Sequence, residues 1–195
     1  MGTVRIVGGS LRGRRLRVPD RGVRPTSERT REAIFDILGA ERVQGAAVLE
    51  LYAGTGALGI EALSRGAASV DFVEGNHSVA RRLTENLDAL GLGGRARVRV
   101  ANLGRGALPA GLSGPWGLVF LDPPYQEEAG PRWVRRLGER GSLEPDGLLV
   151  YECRKGTAPP PPGAFTLATE RTYGDTTVAI YRAGRNRGTA PGGIA

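Results

Sequence analysis

A short apolar run that ends in a glycine-spaced turn and reopens as a helix admits few folds, and residues 47–65 have that form. Residues 47–51 read as a strand, and Glu50-Leu-Tyr-Ala53-Gly54-Thr-Gly56-Ala-Leu-Gly59 leads it into a helix over 57–65. Gly54, Gly56 and Gly59 match G-x-G-x-x-G, a turn that lets backbone approach a ligand at a helix N-terminus. The alternation continues downstream. Strands over 69–73, 96–100, 118–121 and 148–152 interleave with helices over 77–90 and 131–140. The first of these helices carries Val79, Leu83, Leu87 and Leu90 on one face. Such alternation predicts an α/β, Rossmann-like parallel sheet. Strands over 166–172 and 176–182, joined at Tyr173-Gly174-Asp175, add an antiparallel hairpin. A chain of 195 residues suits one such domain.

The N-terminus reads differently. Runs at 3–7 and 14–18, joined through Gly8, Gly9 and Gly13, form a small hairpin or an extended arm. Thr26 or Ser27 then caps a helix to about Leu38, with Ala33, Ile34, Ile37 and Leu38 on its apolar face, and Gly39 ends it. Three regions follow: an arginine-rich extension and helix over 1–40, the main domain over 41–183, and a Gly-rich flexible tail over 184–195.

Charge separates the same regions. Residues 1–31 hold nine arginines and two acids, which accounts for the whole net charge of +7; the remaining 164 residues balance 18 basic against 18 acidic groups. A compositional bias toward arginine would act along the whole chain. Segregation at one end points to a polyanionic partner, since guanidinium grips phosphate bidentately and releases counterions. Arg5, Arg12, Arg14, Arg15, Arg24 and Arg29 are the candidate RNA contacts.

The glycine loop alone suits a dinucleotide or S-adenosylmethionine, with Glu74 placed to bind a ribose diol. Glu50 favours the second. A carboxylate four residues before the first glycine repels a pyrophosphate and attracts an ammonium or sulfonium. The most specific segment is Asp122-Pro123-Pro124-Tyr125, at the carboxyl end of a strand, where open α/β sheets bind ligands. The prolines fix the backbone and remove two amide donors. A carboxylate and a fixed carbonyl then take the hydrogens of an exocyclic amine, and Tyr125 offers a face to a splayed-out base.

These motifs resemble the S-adenosylmethionine-dependent amino-methyltransferases that act on nucleic-acid bases. Arg5-Ile-Val-Gly-Gly-Ser-Leu-Arg-Gly-Arg14, Arg24-Pro-Thr26, Arg29-x-Arg31-Glu-Ala-Ile-Phe-Asp-Ile-Leu38 and Leu51-Tyr-Ala-Gly-Thr-Gly-Ala-Leu-Gly59 are similar to the small bacterial 16S rRNA guanine-N2 methyltransferases. The likeness spans roughly residues 4–182. It implies a seven-stranded methyltransferase fold, S-adenosylmethionine as cofactor, and a ribosomal small-subunit (30S) particle or its 16S rRNA as partner. It also implies N2 methylation of the guanine at rRNA position 966. Glu50, Ala53, Gly54 and Gly56 would hold the methionine end, Glu74 the ribose and Asn102 the adenine. Asp122, which also borders the cofactor, would hold the guanine amine with Pro123 and Tyr125.

Other residues carry less. His77 reads as a surface or capping residue, Cys153 as a small buried filler, and Trp116 and Trp133 as packing residues. With one cysteine and one histidine, a cysteine-based zinc cluster or a His-rich metal site is not expected. No apolar run approaches a membrane span, and a cytoplasmic monomer is expected. Three rivals account for part of the sequence: adenine-N6 methylation on DNA or another RNA, a non-catalytic ribosome assembly factor, and a nucleotide-dependent oxidoreductase. The first lacks room for a target-recognition domain, the second leaves Glu50 and Asp122 idle, and the third leaves Asp122–Tyr125 and the arginines unexplained.

Overall fold

The strands that the sequence separates by helices meet in one sheet, seen in a computed structural model that describes residues 2–18, 26–105, 108–112, 114–124, 129–163 and 165–184. They are β3 (Ala47–Leu51), β4 (Ser69–Glu74), β5 (Ala96–Val100), β6 (Trp116–Leu121), β7 (Leu143–Arg154), β8 (Phe165–Tyr173) and β9 (Thr176–Ala183). Their order is β5-β4-β3-β6-β7-β9-β8. The first five run parallel, and β9 is antiparallel to both its neighbours. The chain order reverses between β3 and β6, which opens a crevice at their carboxyl ends.

Alternation along each strand feeds two apolar layers. Val48, Leu118, Phe120, Val150 and Ile180 face one layer with helices α1 (Glu28–Leu38), α3 (Ala57–Ser64) and α4 (His77–Ala89). Leu49, Val119, Leu149 and Tyr181 face the other, against Trp133, Val134 and Leu137 of α5 (Ala129–Glu139). Both tryptophans and Cys153 are buried packing residues. The Trp133 indole N–H also donates to the Leu103 carbonyl at 3.2 Å. His77 is an exposed first residue of α4, and Asn76 is the cap.

Helix α1 turns its apolar side differently from the expected face. Ile37 is 40% exposed, and Phe35 takes its place inside, its ring 5.8 Å from that of Phe120. The residue that displaces Ile37 is thus an aromatic that reaches the sheet. A short helix α2 (Ala40–Val43) follows Gly39. Strand β5 is an edge strand, so its regular alternation buries little, and Val100 is exposed.

The N-terminal strands β1 (Gly2–Arg5) and β2 (Arg15–Val18) pair antiparallel. They form a docked hairpin rather than an extended arm. Val4, Ile6, Leu16 and Val18 belong to the same apolar layer as α1 and β3, so the expected boundary at residue 40 crosses a shared core. Polar latches complete the docking. Buried Asn86 accepts the Arg17 amide and donates to the Arg17 carbonyl, both at 3.0 Å. Glu61 accepts the Val7 amide at 2.9 Å, and Ser64 accepts the Leu11 amide at 2.9 Å.

Candidate active site

The crevice at the switch point is a cleft of about 710 Å³, within the roughly 300–1,000 Å³ of small-molecule sites. Its floor is the glycine loop. Gly54 and Gly56 adopt φ of +53° and +72°, where a side chain is strained. Tyr52, with φ +59°, holds a similar conformation between Glu50 and the loop. The third glycine answers to packing. A Cβ on Gly59 would lie 2.5 Å from the Phe72 ring and 2.6 Å from Glu50 Oε2.

Glu50 is the penultimate residue of β3, on the α3 side of the sheet, and is buried. Its Oε2 accepts the Gly59 amide at 2.8 Å, which ties the carboxylate to the start of α3. Burial pushes its carboxyl up to about 8 against that bond, and Asp122 and Glu74 add repulsion. Ala53 is buried beside it, its amide held by the Val73 carbonyl. Glu74 ends β4 and accepts the Gly54 amide at 2.8 Å and the Asn76 amide at 2.7 Å, so its carboxylate is fixed at the rim. Asn102 is elsewhere: it is exposed, and its side chain accepts the Gly104 amide in a local turn outside the cleft lining.

Asp122, Pro123 and Pro124 form the opposite wall. Tyr125 and Arg24 lie outside the described residues. Next to Asp122 is an acid that the sequence reading did not single out. Glu152 lies near the carboxyl end of β7 at 4% exposure and lines the same cleft. The pairing of Leu121 with Tyr151 brings Asp122 level with Glu152 on the Glu50 face. An acid interrupting the apolar run 148–153, at the carboxyl end of a parallel strand, was the available signal. Thr26 sits between the two: its hydroxyl lies 2.9 Å from Glu152 Oε1 and 3.5 Å from Asp122 Oδ2. Burial pushes both carboxyls up, Glu152 to about 8 with help from Asp122, and Asp122 to about 7 against the Thr26 bond.

Arg31 positions Thr26. It is 1% exposed and donates to the Thr26 carbonyl at 2.6 Å and the Arg5 carbonyl at 2.7 Å. Counted in sequence with the basic end, it is an internal clamp, and burial lowers its pKa against the pull of nearby acids. Ser27 caps α1 by accepting the Thr30 amide, and both residues line the cleft with Thr26. The β8–β9 turn, Tyr173 to Thr176, closes the other side.

The remaining candidate arginines stand on the hairpin and α1. Arg5, Arg12, Arg14, Arg15 and Arg29 are exposed. Arg5 pairs with Glu28 at 3.0 Å, and Arg15 donates to the Thr3 hydroxyl at 3.0 Å. Among the described residues, no His, Cys, Asp and Glu group could hold a metal ion.

The donor set fits S-adenosylmethionine. A glycine-containing floor lies between a rim carboxylate suited to a diol and a buried carboxylate suited to a cation. Comparison with known proteins agrees. Residues 4–182 match the family described as Conserved hypothetical protein 95. Ribosomal RNA small subunit methyltransferase D of Escherichia coli strain K12 is 36% identical over 183 residues, 93% of this chain and 90% of that one. The solved Escherichia coli protein yhhF superposes with a TM-score of 0.83 at 35% identity, over 94% of this chain and 99% of that chain. An RNA methyltransferase from Salinibacter ruber, solved with S-adenosyl-L-homocysteine, shares the fold at a TM-score of 0.60 and 16% identity, over 88% of this chain and 99% of that chain.

Proposed function

Since the chain belongs to the family described as Conserved hypothetical protein 95 and is an S-adenosylmethionine-dependent methyltransferase, we propose that its acceptor is the N2 amine of a guanine in 16S rRNA of the small ribosomal subunit. One observation carries the reading: the Asp122-Pro123-Pro124 wall faces the glycine loop and Glu50 across one cleft. The cofactor supplies an electrophilic methyl group on a sulfonium. This chain's residues do the rest by positioning. Glu74 receives the ribose hydroxyls and Glu50 lies near the cationic end. Asp122 accepts a hydrogen of the exocyclic amine, so the nitrogen lone pair is aimed at the methyl group. The fixed backbone at Pro123 supplies a second acceptor, and Tyr125 stacks on the flipped base.

The basic face supports an RNA partner. Arg5 and Arg15 face each other across the hairpin, a like-charge pairing that costs stability, and the first turn of α1 joins hairpin to cleft, with Arg31 on the Arg5 carbonyl and Thr30 in the cleft lining. The relatives' names supply the small-subunit rRNA. Replacing Asp122 with Ala should slow methyl transfer by about two orders of magnitude while cofactor affinity, read by calorimetry, stays near wild type. Transfer at the wild-type rate would remove Asp122 from the reaction.

A further inference from the structure

Glu152 has no part in the account so far, yet it is a costly residue to keep. A buried carboxyl 4% exposed, level with a second carboxyl and near a third, raises the energy of the empty site. Among the described residues it receives one hydrogen bond, from Thr26, on a group with about four acceptor positions, and it lines the cleft beside Asp122. Thr26 is pinned in turn by Arg31, so the two carboxyls are held on either side of one fixed hydroxyl. Two adjacent acceptors want a ligand with two adjacent N–H donors.

The Watson–Crick edge of guanine has that pattern, with donors at N1 and N2. Adenine has a donor at N6 but a bare lone pair at N1, and a carboxylate repels it. Resting on the methyltransferase reading above, we propose that Glu152 is the specificity-determining residue of the site: it accepts the guanine N1–H while Asp122 accepts a hydrogen of N2. A base that brings both donors offsets the cost of the buried pair, whereas one that lacks N1–H leaves Glu152 unpaired. In the empty cleft burial and Asp122 hold the proton on Glu152; Arg31 opposes them, and a base that donates N1–H completes the shift to the carboxylate.

The test uses 2-aminopurine, which keeps the N2 amine and lacks N1–H. Small subunits are assembled with rRNA carrying guanine or 2-aminopurine at the methylated position, and single-turnover methylation is measured for wild type and Glu152→Gln. Wild type should methylate guanine at least about ten-fold faster than 2-aminopurine. The variant's amide can accept from N1–H or donate to a bare N1, so its preference should fall toward parity, with cofactor affinity unchanged. Loss of packing would slow both bases equally and leave the ratio intact, so an unchanged ratio overturns the assignment. Wild type that methylates both bases equally overturns it without any variant. Wild type that methylates no guanine sinks the function itself, a separate result.

Discussion

Gly59 and Glu50 depend on each other, since the amide of one occupies the carboxylate of the other and no Cβ fits between them. Gly59→Ala should therefore cost about 1–3 kcal/mol in urea unfolding and weaken cofactor binding in calorimetry, because Glu50 must move. Unchanged stability and affinity would mean that the pair tolerates rearrangement. The raised carboxyls give a pH signature. With the cleft empty, Glu50 and Glu152 keep their protons in the folded protein up to about pH 8, against an ordinary value of 4.5, and a cationic or N–H-donating ligand draws them to the carboxylate form. Between those values the folded state binds more protons than the unfolded chain, so their contribution to stability falls as pH rises. The melting temperature of the free protein should drop from about pH 5 to about pH 8, and Glu152→Gln should make the drop shallower. An equally steep fall in the variant would contradict the shifted state of Glu152. At this scale the glycine loop and Asp122 were legible because their spacing is dictated by chemistry. Glu152 was not, because its meaning depends on the pairing of β6 with β7. Arg31 looked like one more surface charge until the fold enclosed it.

The main-domain strands and helices were legible where a clear period or a turn marked them, as in α4 and the β8–β9 hairpin. The misreadings share a cause. The face of α1 and the docking of β1–β2 are each decided by a partner distant in sequence. The latch at Asn86 reaches 69 residues back to Arg17. Asn86→Ala orphans the half-buried amide and carbonyl of Arg17, which should cost about 1–3 kcal/mol. Hydrogen exchange in residues 2–18 should speed up before the sheet does. Protection lost only globally would mean that the apolar contacts alone hold the hairpin.

Over the whole molecule, function and charge lie at neighbouring places. The hairpin displays Arg5, Arg12, Arg14 and Arg15, and the chain passes into the cleft wall at Thr26, Ser27 and Thr30. An RNA held on the hairpin can thus present a base to the cleft. Replacing Arg12 and Arg14 with Ala should lower the salt slope of RNA binding by roughly one unit per lost phosphate contact. An unchanged slope would move the RNA off this face. The central claim is tested most directly by incubating the protein with methyl-labelled S-adenosylmethionine and small subunits whose rRNA is unmodified, then digesting the RNA and identifying the labelled nucleoside. N2-methylguanosine is the expected product; labelled N6-methyladenosine, or RNA that carries no label, would contradict guanine-N2 methylation.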